Sequence, residues 1–320
     1  MNSKFSKTMK GLTAAALVAM SLSANAFENV KFMVPGTPGG GFDAAARALG
    51  KALQEAGQAK VVNFEYKPGA GGAIGLAQFV NASKGDPNAL IVVSANTATG
   101  ILQTKAPVTL AHATPVARLF TEYNVIAVNT NSPFKTAGDL MAAMKKDPTS
   151  IKWAGGSKGS VDHIGVIEMA QTIGIPSDKV NYSPMGGGGE TAAALLGGHV
   201  NVLTGGYPEI QKFVAAGQMR LLAVASPQRL PGVEAPTLKE QGIDVTTGNF
   251  RVFYAPPGIS AAQQAELVNA VSKAVQTPVW QNALKANLWT QTLLTGKDLD
   301  AFVSSENNRL EKALKLVGLL

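Results

Sequence analysis

The chain has 320 residues, of which 46% are hydrophobic and 15% charged, with 34 glycines, 17 prolines and no cysteine. That length exceeds what one core usually serves, so two lobes of about 100 to 200 residues each are expected, and the apolar content excludes a disordered or fibrous chain. The formal charge is +7, but the bases lie singly or in pairs, which argues against nucleic acid, and no run of about 18 apolar residues argues for a membrane span.

The first 26 residues read as a secretory signal peptide. Lys4, Lys7 and Lys10 form a positive leader, Leu12 to Leu22 is a short apolar run, and Ala24, Asn25 and Ala26 make a small-x-small cleavage site. Cleavage after Ala26 starts the exported mature chain at Phe27. It removes three of 28 bases and no acid, leaving 25 against 21 and a net charge of +4. Without cysteine the exported chain has neither disulfides nor a residue for lipid attachment.

Short apolar runs then alternate with helical patterns. Val30 to Val34, Val61 to Tyr66, Leu90 to Val93, Val125 to Val128, Ile151 to Ala154, Val180 to Tyr182, Val200 to Leu203, Leu221 to Ala225 and Phe250 to Tyr254 are predicted strands. Helices are predicted over Asp43 to Ala56, Thr136 to Lys146, Val161 to Thr172 and Tyr207 to Ala216. The strands are too apolar to be half-wet, so the fold class is α/β, with mainly parallel sheets covered by helices on both faces. Capping-box spacing at Thr136 with Asp139 and at Ser260 with Gln263 marks helix starts, while Gly57 and Gly217 mark helix ends. From Ser260 onward the pattern is nearly all helical. Val125 to Val128 and Phe250 to Tyr254 are the expected crossing strands, each followed by a proline turn. They divide the chain into lobe 1, residues 27–125 plus 250–320, and lobe 2, residues 126–249.

Four glycine-rich turns follow predicted strands: Pro35 to Asp43, Lys67 to Gly72, Gly155 to His163 and Pro184 to Glu190. Glycine lets backbone approach a ligand, and the free N–H groups of a helix start make an anion seat. At the carboxyl ends of strands, turns from two lobes can converge on one small molecule. None is a dinucleotide or P-loop fingerprint, so no cofactor is expected. Gly155-Gly156-Ser157-Lys158-Gly159 matches G-x-S-x-G, which makes a secreted serine esterase with Ser157 as nucleophile the alternative reading. Its histidine is hard to supply, because the candidates are His112, His163 and His199. The same three histidines, without cysteine, predict no metal site. Arg251, on a crossing strand, is expected to take an additional ligand charge. Asn96, Thr97 and Tyr207, at strand ends, are expected to shape the pocket, as are Gly186 and Gly187 in the turn Pro184 to Glu190.

Pro38-Gly39-Gly40-Gly41-Phe42-Asp43, Tyr66 to Gly72, Ser157-Lys158-Gly159-Ser160-Val161-Asp162-His163 and Arg229-Leu230-Pro231 leading to Pro236 to Gly242 resemble the periplasmic receptors of tripartite tricarboxylate transporters, the Bug-type solute receptors. Phe42 and the run Gly248 to Tyr254 are similar to the tricarboxylate branch. The resemblance implies a two-lobed periplasmic binding protein, type II-like, with crossing strands as its hinge. It implies a monomer that binds a tricarboxylate such as citrate, or a C4 dicarboxylate, and delivers it to two integral membrane permease subunits. It implies no enzyme activity and no cofactor. The family motifs place the carboxylate on Gly40, Gly41, Phe42 and Asp43 of the first lobe and on Ser157, Ser160 and His163 of the second. Lys158 stands where the family commonly has an uncharged residue, so it either meets an additional acid group or points into solvent.

Overall fold

The computed structural model describes residues 27–320, so the predicted leader lies outside the described residues. Strand β1 (Phe27–Val34) lies parallel between β2 (Ala59–Tyr66) and β3 (Ala89–Ser94). Strand period decides which side chains meet. Val30, Phe32 and Val34 of β1 join Leu90 and Val92 of β3 in one core cluster, while Met33 joins Ile91 and Val93 in the cluster on the opposite face. Helix α1 (Gly41–Glu55) covers the first face with Leu49 and Leu53, and α2 (Ala73–Ala82) and α3 (Ala95–Thr104) cover the second with Leu76, Phe79 and Ile101.

The strand that organises the molecule is β4 (Thr114–Asn129), 16 residues long. Its first part, Thr114 to Tyr123, pairs antiparallel with β9 (Gly248–Ala255), which in turn pairs antiparallel with β3. From Asn124 onward β4 changes partners to β7 (Val202–Gly206) and β8 (Met219–Val224), both antiparallel. Behind β7 lie β5 (Trp153–Gly155) and β6 (Tyr182–Pro184), parallel to it. The strand order is therefore β2-β1-β3-β9-β4-β7-β5-β6, with β8 and β10 (Thr290–Leu294) attached to β4. Each half has three parallel strands, in line with the mainly parallel sheets expected, closed by the two crossing strands β4 and β9, which are longer than the expected Val125 to Val128 and Phe250 to Tyr254. Helices α4 (Ala137–Lys146), α5 (Val161–Thr172), α6 (Gly188–Leu196) and α7 (Tyr207–Ala215) flank the second half. The tail comprises α8 (Ala261–Ala274), α9 (Pro278–Asn287) and α10 (Gly296–Leu316). Among the described residues no helix is long and apolar enough to cross a membrane.

The predicted caps are present. Thr136 and Asp139 exchange hydrogen bonds at the start of α4, as do Ser260 and Gln263 at α8. Two strand segments depart from prediction. The first ten residues of β4 hold Pro115, Arg118, Thr121 and Glu122, which break an apolar strand pattern. Burial accommodates them because Arg118 stacks on the ring of Phe302, 3.8 Å from its centroid, and Glu122 opens onto a cavity. Strand β10 interrupts the tail that was expected to be helical. Its residues are all half-buried, and only pairing with β4, 169 residues away at Thr290 and Thr121, makes it a strand.

Candidate functional site

Four helix starts converge on one cavity of about 400 Å³. Gly39 to Phe42 bring the first turn of α1, Ser94 and Asn96 that of α3, Val161 and Asp162 that of α5, and Gly206, Pro208 and Glu209 that of α7. Glu122 and Asn124 of β4, Asn249 and Arg251 of β9, and Asn287 and Trp289 of the tail complete the wall. The helices start here because each follows a strand that ends on the same side, where glycines relieve crowding. The N-cap of α1 is Gly40, which has no side chain to occupy the first-turn N–H groups.

Arg251 is the central cation. It is only 5% exposed, its guanidinium lies 5.5 Å from the centroid of the Phe42 ring, and a Cβ added at Gly41 would sit 2.7 Å from its Nη2. A buried guanidinium beside the positive end of a helix is unfavourable unless an anion joins them. Its hydrogen bonding is sparse: Nη1 donates to the carbonyl of Phe250 over 3.4 Å, and buried Nε has no partner. The carboxylate of Glu122 stands 3.7 Å from Nη2, an ion pair beyond hydrogen-bonding distance.

Three acids share the wall, and they differ in use. Asp162 is committed to its own loop, accepting from the Gly156 N–H at 2.8 Å and the Asn124 amide at 2.7 Å. Burial nonetheless pushes its carboxyl up, with those bonds opposing. Burial also raises Glu122, with Arg251 opposing and Asp162 adding to the rise. Glu209 is an exposed residue that lines the cavity, and the surrounding protein desolvates part of it. That desolvation, with the charges of Glu122 and Asp162, pushes its carboxyl up to about 7, while a Gly206 N–H and Arg251 act in the other direction. A carboxyl raised from its usual 4.5 keeps its proton longer in the folded state, so stability falls as pH rises from about 4.5 to about 7. Glu209→Gln is therefore expected to melt at a higher temperature than the parent protein at pH 8 and at the same temperature near pH 4. Calorimetric scans at the two pH values check this.

The predicted residues fall into distinct places. Gly39, Gly40, Gly41, Phe42, Asn96 and Arg251 line the cavity. Pro38 does not, and Asp43 lies beneath the turn, 4% exposed. Asp43 accepts from the Gly39 N–H, the Tyr66 hydroxyl and Arg47, each at 2.8 Å, so it braces the turn and its own helix. Burial acts to raise its carboxyl, and those three donors outweigh it and hold it low. Ser157, Lys158, Ser160 and Gly186 line a second chamber of about 480 Å³, together with Ala70, Gly71 and Gln103. Asn96 and Asp162 belong to both chambers. Asn96 Oδ1 accepts the Val161 N–H at 3.2 Å, a bond from α3 to the start of α5 that stands between the two glycine turns.

Other predicted residues turn away for packing reasons. His163 lines neither chamber. Its Nδ1 accepts from the Gly159 N–H at 3.1 Å and its ring rests on Tyr182, while burial and then Lys158 depress it to about 4. Thr97 is fully buried and donates to the Gly71 carbonyl, Tyr207 joins a core cluster, Gly187 caps α6 and Gly159 turns the loop. Ser157 is not among the non-glycine residues with positive φ, unlike a nucleophile elbow. Sequence reasoning did not single out Ser94, Glu122, Asn124, Asp162, Glu209, Asn249, Asn287 or Trp289 as site residues. The polar pair Glu122 and Asn124 directly before the apolar run Val125 to Val128 was the one available signal.

Comparison with known proteins bears on the assignment. The TctC model, described as tripartite tricarboxylate transporter family receptor, matches residues 45–319. Protein BugT of Bordetella pertussis is 28% identical over 313 residues, covering 95% of this chain and 94% of BugT. A TctC solute binding protein from Polaromonas superposes with a TM-score of 0.75 at 26% identity, over 90% of this chain and 98% of that one. MatC from Rhodopseudomonas palustris, solved with bound malate, superposes with a TM-score of 0.70 at 22% identity, over 90% and 99%.

Proposed function

This chain belongs to the tripartite tricarboxylate transporter receptor family and has its two-lobed periplasmic binding protein fold, and on that premise we propose that it captures a small organic acid. In this reading it works in the periplasm after losing residues 1–26, as a monomer, and delivers the acid to a permease of two integral membrane subunits. The hinge lies where β4 changes partners, at Tyr123 and Asn124, and where the chain returns into β9 at Gly248.

One observation carries the reading: a buried arginine with an unpartnered Nε shares the cavity with the uncapped start of α1. A helix end contributes about 0.3 to 2 kcal/mol to an anion, whereas micromolar affinity needs about 8 kcal/mol. Charge-assisted bonds from Arg251 and enclosure between the lobes supply the remainder. The malate bound by the Rhodopseudomonas protein is a small organic acid of this kind. A tricarboxylate such as citrate fits less well, because three acids and one arginine line the cavity, so its second and third charges find no cation.

Calorimetric titration of the mature protein with mono-, di- and tricarboxylates tests this. Binding of at least one acid, with mono- or dicarboxylates ahead of citrate, is expected, and a folded protein that binds none of them overturns it. The esterase alternative has a separate test in p-nitrophenyl acetate. Hydrolysis above background that Ser157→Ala abolishes would install it, and none is expected.

A further inference from the structure

The cavity has two poles of opposite charge. Arg251 and the start of α1 form one. At the other, two carboxylates flank the bare backbone at the end of β7: a Cβ on Gly206 would land on Glu122 Oε1, and one on Gly205 would lie 3.2 Å from Glu209 Oε2. Glycine at both positions is what leaves room for these acids. Asp162 is held by the Gly156 N–H and the Asn124 amide, whereas Glu209 takes only a Gly206 N–H among the described residues. Glu209 has no ion-pair partner among the described residues, and that of Glu122 is Arg251 at 3.7 Å. Arg251, 5% exposed, cannot neutralise a ligand carboxylate and both glutamates, and it retains a buried, unpartnered Nε. Like charges crowded into a partly dry chamber repel a further anion and favour a cation.

We propose that the ligand is an amino-substituted organic acid, its carboxylate on Arg251 and the first turn of α1, its ammonium between Glu122 and Glu209. This assignment rests on the organic-acid reading above and narrows it. An ammonium has three donors and no acceptor, which suits two glutamates at the Gly205–Gly206 backbone. Because Glu209 comes from α7 and Arg251 from β9, such a zwitterion touches elements of both halves, and each pole then favours the closed arrangement.

The test compares matched pairs that differ in the amino group: aspartate with succinate, glutamate with glutarate, β-alanine with propionate and γ-aminobutyrate with butyrate, beside citrate. Titrations of the mature protein in EDTA are followed by calorimetry and by the fluorescence of Trp289 in the cavity wall. In at least one pair the amino member binds about tenfold or more tightly, and Glu209→Gln erases most of that difference, as does Glu122→Gln. If no amino member exceeds its partner while some acid binds, the zwitterion assignment falls and the organic-acid reading survives. The assignment also falls if citrate binds best, or only after magnesium is added, or if both glutamine variants weaken the two members of a pair equally. A folded protein that binds no acid of either kind removes both readings.

Discussion

Arg251→Ala is expected to weaken binding of every carboxylate ligand by about 30-fold to more than 1,000-fold, the range for truncating one member of a buried charge pair at about 2 to 5 kcal/mol. Two effects add. The ligand loses the one cationic side chain that the described residues place in the wall of the cavity, and Glu122 loses its ion-pair partner, so nothing offsets its repulsion of an anion. Arg251→Lys is expected to recover part of the affinity, since it restores the charge without the planar fork. Circular dichroism and a melting curve establish that the alanine variant is folded, and calorimetry then reads the affinity. A folded Arg251→Ala protein that binds within threefold of the parent would falsify the assignment of this cavity as the carboxylate site.

Gly71→Ala is expected to give the largest loss of stability, about 2 to 5 kcal/mol. Gly71 has φ of 65°, and a Cβ there would land on the main-chain carbonyl of Asn96, with Gly100 Cα close behind. Left-handed backbone at a non-glycine residue costs about 1 kcal/mol or more, and forcing backbone away from backbone costs about 1 to 3 kcal/mol further. At about 2 to 4 °C per kcal/mol for a chain somewhat below this size, the melting temperature falls by about 5 to 15 °C. Gly198→Ala is the control. Its φ of 72° carries the same conformational cost, but nothing lies within 4 Å of the added Cβ. Equal losses for the two variants would show that close approach contributes nothing at Gly71. The clash also displaces Asn96, whose bond to the Val161 N–H spans the chambers, so ligand affinity is expected to fall with stability.

Closure depends on more than the cavity. Val161 and Ile164 of α5 pack in the same cluster as Ile101 of α3 and Leu310 and Leu314 of α10. Arg309 of α10 donates to Glu168 of α5 at 2.6 Å, and Gly159 is confined by Gln103 and Leu314. The glycine turn Gly155 to His163 is therefore held by the tail as well as by its own sheet. This explains why Ser157 and Ser160 face the second chamber while the first glycine turn and Arg251 face the first.

Local sequence determined the α/β class, the positions of most strands and helices, the caps at Thr136 and Ser260 and the glycine turns at strand ends. Each depends on residues within a few positions of one another, through period, capping chemistry and backbone freedom. Arg251 was legible for a related reason, as a charged residue in an apolar crossing strand, and the family resemblance rested on short contiguous motifs. Tertiary structure alone decided the pole made by Glu122 and Glu209, the withdrawal of His163 onto Tyr182 and the division of the cleft by Asn96. Strand β4 meets β7 across 76 to 82 residues and β9 across 125 to 141, and which polar side chains face one another across those distances is set by strand register and close packing. No local pattern encodes those facings, so a carboxylate that reads as a solvated charge in the chain becomes half of a ligand pole only when the sheets close around it.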